Sequence, residues 1–393
     1  MAPKRKPVLR KIFNQPSYVI RTKQVEVAVT ELGGCMAPVT FYRDSGKPIQ
    51  PLAVAPWWKE PVMRDQPPCI QALRGDFFCM PFGGSANAYH GRNYPPHGET
   101  ANRRWSFDDR RNTKKGSALD LSMKLKLQAG EVHKTLAVAV DTNVIYSRHR
   151  LCGMSGNMTY SHHATLQFPD RPGSARLSFS PFAHASTYPH TLETPAEGSY
   201  AILKKGCVIE DLTKVPLIDG TTTDLTSYPN RRGYEDAAMV CADTSLDFSW
   251  SAATFERERY VWFNLKNPRV LASTMLWFSN GGRYFPPWNG RHINVMGMEE
   301  GTTFWGDGIA ASEKPNEFSK RGVQTVRRLR KSERFEVPCI MGVAVLPRGF
   351  RVVKTMRRVD DETIRITGNN RLSVDVKVRL DFLESSTLDG LIE

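Results

Sequence analysis

Two segments of the chain alternate strictly between apolar and polar residues. In residues 119–127 every odd position is apolar and every even position is polar. Residues 372–380 repeat this alternation over nine positions, from one leucine to another. Side chains on a β-strand point alternately to its two faces, so a period of two predicts a strand with one face buried and the other in water.

Further strands are predicted at both ends of the chain. Residues 25–29 read Val-Glu-Val-Ala-Val and begin a strand near the N-terminus. Residues 364–366 precede Gly-Asn-Asn at 368–370, which predicts a hairpin with the strand at 372–380. Sustained helical periodicity is scarce, and 29 glycines and 26 prolines punctuate short strands. The pattern therefore predicts an all-β fold, a large antiparallel β-sandwich.

The length of the chain is compatible with one large domain. It has 393 residues, and large β-sandwiches run past about 200 residues as one unit. We expect a basic N-terminal extension at residues 1–18 and one sandwich domain at residues 19–393. A soft boundary at residues 312–322 suggests additional C-terminal strands on that domain, at about residues 320–393.

The net charge of +14 admits nucleic acid, a membrane surface or an anionic substrate as partners. However, Lys and Arg are spread along the chain, and the densest cluster, residues 327–331, is short. This distribution favours a solvated basic surface over a nucleic-acid-binding patch.

The sequence has no run of eighteen apolar residues, so no transmembrane helix is predicted. No apolar segment follows the basic N-terminus, so no secretory signal is expected. The seven cysteines are odd in number, scattered, and never spaced as Cys-x-x-Cys. They indicate reduced thiols in a cytoplasmic protein rather than disulfides or a zinc site.

Two motifs carry most of the functional information. Residues 74–83 read Arg-Gly-Asp-Phe-Phe-Cys-Met-Pro-Phe-Gly, and residues 97–105 read His-Gly-Glu-Thr-Ala-Asn-Arg-Arg-Trp. The pair resembles the N-terminal signature of the galactose mutarotase-like superfamily, in particular aldose 1-epimerases and hexose-6-phosphate 1-epimerases. The resemblance implies the supersandwich fold of that superfamily and a sugar pocket containing Arg74, His97 and Asn102.

One departure from the motif bears on the substrate. Hexose-phosphate epimerases have an arginine where this chain has Ala101. Because a guanidinium group is the usual bidentate partner of phosphate oxygens, the alanine argues against simple transfer of phosphate recognition.

A histidine pair supplies the next element. His162 and His163 lie in a segment that resembles the family strand whose histidine is the general acid. Adjacent residues on a strand point to opposite faces, so only one of the two enters the pocket. The family register selects His163 as the acid and leaves His162 as a candidate substrate contact. Taken without the family motif, both histidines are better explained as hydrogen-bonded structural residues; the upstream motif reverses that preference.

The third element lies at residues 276–300. Gly-Met-Glu-Glu at 297–300 resembles the late family strand that carries the catalytic base. The match assigns the base to Glu299, while Glu300, in place of the usual proline, is expected to face solvent or to pair with an arginine. The preceding loop offers substrate contacts, or alternatively a purely structural turn with a buried tryptophan; its candidates are Trp288, Asn289 and Arg291.

The family also has an aspartate that binds substrate hydroxyls. Asp243 and Asp247 are possible counterparts, and the motif does not choose between them. The counterpart of the family aspartate in this chain is therefore left open.

The resemblance implies a specific reaction. One base removes the proton of the C1 hydroxyl while one acid protonates the ring oxygen, so α and β anomers interconvert through the open aldehyde. Glu299 is the expected base, His163 the expected acid, and His97 with Arg74 would steady the developing charge. No metal or organic cofactor is expected, and the partner is a small sugar or sugar derivative.

Three other functions compete with this one. A sugar-binding or regulatory protein would keep the fold without turnover, and a polysaccharide lyase or hydrolase would open the pocket into a groove. A nucleic-acid binder ranks last, because charge is a weaker argument than a site. Neither the sugar nor the oligomeric state follows from the sequence.

Overall fold

The structure is a computed structural model that describes residues 7–61, 63, 65–84, 88–385, 388 and 391–392. Strands hold 46% of the residues and helices 7%. The all-β prediction is therefore confirmed. Among the described residues, no helix is long and apolar enough to cross a membrane.

The strands of the first half of the chain are β1 (Arg10–Ile12), β2 (Gln15–Arg21), β3 (Glu26–Thr30), β4 (Met36–Thr40), β5 (Phe78–Cys79), β6 (Ser106–Asn112), β7 (Gly116–Lys124), β8 (Glu131–Ala139), β9 (Val144–Cys152), β10 (Gly156–Met158), β11 (Tyr160–Gln167), β12 (Ala175–Phe179) and β13 (Phe182–Thr187).

The second half adds β14 (Val215–Pro216), β15 (Thr222–Thr223), β16 (Ser227–Tyr228), β17 (Tyr234–Ala242), β18 (Ser249–Phe255), β19 (Tyr260–Lys266), β20 (Ser273–Asn280), β21 (Val295–Thr302), β22 (Arg327–Leu329), β23 (Arg334–Val345), β24 (Val353–Asp360), β25 (Thr363–Gly368) and β26 (Ser373–Lys377). The helices are short: α1 (Pro68–Gln71), α2 (Gly98–Asn102) and α3 (Gly308–Ser312), with 3-10 turns at Pro56–Lys59, Pro195–Glu197, Ser319–Arg321 and Leu380–Leu383.

Two large antiparallel sheets form the sandwich. The nine-stranded sheet has the order β16-β12-β18-β19-β23-β9-β8-β7-β6, and the six-stranded sheet has the order β13-β17-β20-β21-β11-β5. A continuous apolar core lies between them, with Leu136 and Ile145 from the first sheet and Leu276 and Met298 from the second. Both sheets thus bury one face against the other, which is what the alternating pattern requires.

The C-terminal segment serves two layers of the structure. β23 lies in the middle of the nine-stranded sheet, between β19 and β9. After it, β24, β25 and β26 form a separate three-stranded sheet. A second apolar core joins Ile364 and Ile366 of this sheet to Val261 and Phe263 on the outer face of the nine-stranded sheet. The segment predicted as additional strands therefore also contributes a strand to the sandwich itself.

Two local predictions can be compared with the strand pairing. The hairpin at the C-terminus is confirmed, since Ile364 pairs with Val376 between β25 and β26. At the N-terminus, residues 1–6 of the predicted extension lie outside the described residues, while β2 begins at Gln15 and pairs with β3. The later part of that extension is therefore a strand of a four-stranded sheet.

Glu300 corrects one expectation from the sequence. Its side chain faces the interior of the sandwich, is fully buried, and is paired with Lys266 rather than with solvent or an arginine. Thr274 Oγ1 donates to Glu300 Oε2 at 2.7 Å, and the Lys266 ammonium donates to the Ser273 carbonyl at 2.8 Å. β21 is covered on both faces, so a carboxylate on either face must be buried.

Removing one member of this buried pair should destabilise the protein more than removing both. Lys266→Met leaves the Glu300 carboxylate without its cation, and breaking such a buried pair costs about 3–5 kcal/mol. In the double variant Lys266→Met/Glu300→Gln the free energy of unfolding should recover part of that loss. Urea denaturation of the three proteins measures both values; a double variant less stable than Lys266→Met would contradict the pairing.

Candidate active site

The register of β11 and β21 places two titratable pairs on opposite faces of the six-stranded sheet. His163 is directly opposite Glu299, and His162 is directly opposite Glu300. Directly opposed residues of antiparallel strands share a face, and their neighbours along the strand take the other face. His163 and Glu299 consequently point away from the sandwich core, and His162 and Glu300 point into it.

A cavity of about 210 Å³ lies on the outer face of this sheet. Both His163 and Glu299 line it, together with His97 and Arg283. The remainder of its wall is apolar or glycine: Cys69, Ile70, Leu73, Phe77, Phe82, Gly83, Gly84, Leu192, Met275, Trp277, Trp288 and Gly306.

The Glu299 carboxylate is buried at the base of the cavity. Its Oε1 lies 3.4 Å from His163 Nε2. Burial raises the pKa of Glu299 to about 8, because the charged form loses its hydration. Gly297, two residues earlier on the same face, leaves room for this side chain, since a Cβ built there would lie 2.4 Å from Glu299 Oε1.

Both cavity histidines are held neutral. Burial, with a smaller contribution from His97, lowers the pKa of His163 well below its usual value. Its ring stacks on Phe77 with a centroid separation of 4.4 Å. His97 stands at the entrance to α2, with its ring centroid 5.1 Å from that of His163. Burial and the nearby Arg283 charge lower the pKa of His97 to about 4.

Near neutral pH, Glu299 and His163 share one titratable proton. The Glu299–His163 pair is uncharged when the carboxyl group holds its proton and the imidazole is neutral. Moving that proton to the imidazole gives a carboxylate and an imidazolium with the same total charge. Such a pair can accept a proton at one atom and donate one at another, which is the requirement for acid–base catalysis.

Arg283 is the cation of the cavity. Its Nε and Nη2 donate to Glu193 Oε1 at 2.9 and 2.6 Å. Its guanidinium lies over the rings of Trp288 and Trp277, at 4.8 and 5.6 Å from their centroids. Glu235 is buried behind it, accepts a bond from Trp277 Nε1 at 3.0 Å, and has a pKa raised to about 7, mainly by burial.

Three cavity residues carried no signal that the sequence analysis used. Arg283 and Trp277 lie in the segment before Trp288, but no motif assigned them a role. Phe77 lies inside the first motif, which assigned it no role. In the structure Trp277 pairs with Gly297, which places the Trp277 side chain on the same face of the sheet as Glu299. The sequence alone does not give this strand pairing.

Four of the predicted site residues reach the cavity wall or its base: His97, His163, Glu299 and Trp288. Arg74 and Asn102 do not line it. The Arg74 guanidinium donates to the carbonyls of Ile12 and Phe13 at 3.2 and 3.0 Å, which fixes the N-terminal segment. The Asn102 side chain caps local backbone groups, accepting from the Cys69 amide at 3.1 Å.

The remaining predicted contacts also lie off the cavity. His162 faces the core, where its Nδ1 lies 3.2 Å from Asp76 Oδ2. Arg291 is bound to Glu60 at the surface, with Nη2 donating at 2.9 Å. Asn289 is exposed in the same loop. These placements favour structural roles, because each polar side chain is turned to another partner or to solvent.

The candidate aspartates for the open family position also lie off the cavity. Asp243 accepts from the Ser245 amide at 2.9 Å in a surface turn, and Asp247 is exposed. Neither lines the cavity.

The buried Glu299 carboxyl group should make the stability of the protein depend on pH. The pKa of Glu299 is raised in the folded state, so the folded protein binds more protons than the unfolded chain between about pH 4.5 and pH 8. Stability contributed by this group is thus present below that window and is lost as the pH rises through it. At pH 8, Glu299→Gln should raise the free energy of unfolding by roughly 2–4 kcal/mol.

Urea denaturation at pH 5 and pH 8 tests this. The stabilisation by Glu299→Gln should be much smaller at pH 5, where the wild-type carboxyl group is protonated in the folded state. An equal effect at both pH values would contradict the raised pKa.

Solved structures resemble this chain in fold. A protein from Klebsiella pneumoniae, assigned provisionally as an aldose 1-epimerase, matches with a TM-score of 0.60 at 13% identity, covering 86% of this chain and 82% of its own. A galactose mutarotase related enzyme from Lactobacillus acidophilus matches with a TM-score of 0.53 at 11% identity, covering 84% and 99%. A galactose mutarotase-like protein from Clostridium acetobutylicum matches with a TM-score of 0.55 at 8% identity, covering 86% and 98%.

Sequence comparison adds nothing to these matches, since neither a protein-family model nor a curated protein matches the chain. At such low identity a structural match establishes the arrangement of strands and leaves the chemistry to be argued from the site. The chain has the galactose mutarotase-like fold.

Proposed function

We propose that the cavity binds a monosaccharide and that the protein interconverts its α and β anomers, as an aldose 1-epimerase. The observation that carries the proposal is the contact between His163 Nε2 and Glu299 Oε1, 3.4 Å apart in a buried cavity. An anomerase needs one base and one acid beside a single sugar carbon, and this pair supplies both.

The reaction follows from the proton held by the pair. Sugar hydroxyls entering the cavity favour the charged form, in which Glu299 is a carboxylate and His163 an imidazolium. Glu299 takes the proton of the C1 hydroxyl while His163 gives its proton to the ring oxygen, so the C1–ring oxygen bond breaks and the aldehyde forms. Rotation about C1–C2 and the reverse transfers close the ring on the other face. His97, held neutral, donates a hydrogen bond to a sugar oxygen near the anomeric centre.

Features of the cavity favour this reaction over the competing enzyme class. Glycoside hydrolysis uses two carboxyl groups that flank the scissile bond. Glu299 is the one carboxyl group among the described residues that line the cavity. The cavity volume of about 210 Å³ is also below the roughly 300–1,000 Å³ of pockets for larger ligands, which disfavours a polymer.

A sugar-binding protein without turnover is the second candidate. It is favoured by the largely apolar wall, which would hold a sugar whether or not it reacts. The raised pKa of Glu299 argues for catalysis, because a binding site gains nothing from burying an uncompensated carboxyl group. The proposal includes a cytoplasmic location, supported by seven cysteines that are all unpaired.

Anomer exchange measured by saturation-transfer NMR tests the proposed function. Wild-type protein should accelerate exchange of at least one free aldose, and Glu299→Gln and His163→Ala should each reduce the rate by at least about 100-fold. Arg291→Ala is the matched control: it removes a loop residue predicted from the sequence but bound to Glu60 outside the cavity, so exchange should stay within about twofold of wild type. Wild-type rates in both active-site variants would refute the assignment.

The pH dependence of exchange gives a separate prediction. The active pair holds one proton, and the pKa of Glu299 is raised to about 8. Exchange, corrected for the uncatalysed reaction, should therefore be level through neutral pH and fall by about tenfold per pH unit above 8. A rate that rises through pH 8 and stays high to pH 9.5 would mean that the bare carboxylate is the active form.

A further inference from the structure

The cavity offers a sugar few polar partners. Among its described lining residues, the titratable side chains with polar groups to offer are His97, His163, Glu299 and Arg283, and Trp288 adds one indole N–H. The Trp277 N–H is already donated to Glu235, and the Cys69 thiol to the Pro96 carbonyl. His97, His163 and Glu299 lie together at the proposed anomeric centre. Within the part of the wall that the structure describes, this leaves Arg283 and the Trp288 indole N–H for the other hydroxyls of the ligand.

Three backbone groups at the glycine part of the wall are already bonded within the protein. The Gly84 amide donates to the Gly306 carbonyl at 3.0 Å, and the His97 amide donates to the Gly83 carbonyl at 2.6 Å. These bonds connect the Gly83–Gly84 segment to Gly306 and to His97. The same groups are therefore poor substitutes for the missing polar side chains.

The charge of Arg283 is also compensated inside the protein. Two of its nitrogens donate to Glu193, and Glu235 lies close enough to raise its pKa further. An anionic ligand would have to compete with carboxylates that already occupy this cation. No other arginine or lysine is among the described lining residues.

We infer that the cavity selects a neutral, hydroxyl-poor sugar, of which a 6-deoxyhexose is the simplest example. This inference rests on the proposed function for the location of C1 beside Glu299 and His163. Leu192, Met275 and the two tryptophans then face the carbons at the rest of the ring, where a methyl group is accommodated and a hydroxyl finds few partners. An apolar pocket discriminates against an added hydroxyl by up to about 100-fold, which sets the size of the expected effect.

Matched sugar pairs test the inference on the wild-type protein. The pairs differ only at C6: D-fucose with D-galactose, L-fucose with L-galactose, and D-quinovose with D-glucose. Galactose 6-phosphate and glucose 6-phosphate serve as the anionic probes. Calorimetry gives the dissociation constants, and saturation-transfer NMR gives kcat/KM for anomer exchange.

In at least one pair, the deoxy sugar should bind about 10–100-fold more tightly than its hexose, and both phosphates should bind more weakly than the deoxy sugar. The two measurements separate the inference from the proposed function. Tight binding of a deoxy sugar without exchange would refute the epimerase and support the selectivity.

Exchange in which every hexose equals or exceeds its deoxy partner would overturn the selectivity and support the epimerase. Tighter binding of a sugar phosphate than of the deoxy sugars would likewise overturn the selectivity. Absence of binding by every sugar would overturn both.

Discussion

The pairing register between β11 and β21 is the constraint on which the site depends. It sets His163 opposite Glu299 and His162 opposite Glu300. A slip of β21 by one residue would exchange the two faces of that strand, sending Glu299 into the sandwich core and Glu300 into the cavity. The apolar residues that alternate with these pairs, such as Ala164 and Met298, fix the register because they complete the core between the sheets.

Two adjacent carboxyl groups consequently have different chemistry. Glu300 is paired with Lys266 and accepts from Thr274, so its charge is compensated within the core. Glu299 has the His163 imidazole 3.4 Å from its Oε1, and burial raises its pKa to about 8. Burial of a carboxyl group with a raised pKa is a pattern typical of catalytic groups, and the proposed reaction needs a proton that leaves near neutral pH.

Much of this site could be predicted from the sequence, for identifiable reasons. Period-two alternation identified strands, and adjacency on a strand showed that only one of His162 and His163 could enter the pocket. The family motif then selected His163 and Glu299, and both line the cavity. Alternation could not identify strand partners, however. Lys266 and Glu300 are 34 residues apart, and only the sheet order brings them together.

The predicted residues that lie off the cavity have a feature in common. Arg74, Asn102 and Arg291 are polar residues near the motif, and each is bound to another part of the protein, such as the carbonyls of Ile12 and Phe13 for Arg74. A motif gives the position of such a residue along the chain but not the partner that its side chain finds. Arg283 shows the converse, since its place over Trp277 and Trp288 depends on a loop that only the folded chain defines.

The most direct test of the account is the protonation of His163 in the free protein. Histidine-selective ¹⁵N NMR can follow its ring nitrogens from pH 5 to pH 9.5, with the resonance assigned from its absence in His163→Gln. The account predicts a neutral imidazole throughout the acidic and neutral range, with a change in the Nε2 signal only as Glu299 loses its proton near pH 8. An ordinary imidazolium titration near pH 6.5 would contradict it, because His163 and Glu299 would then hold their protons independently.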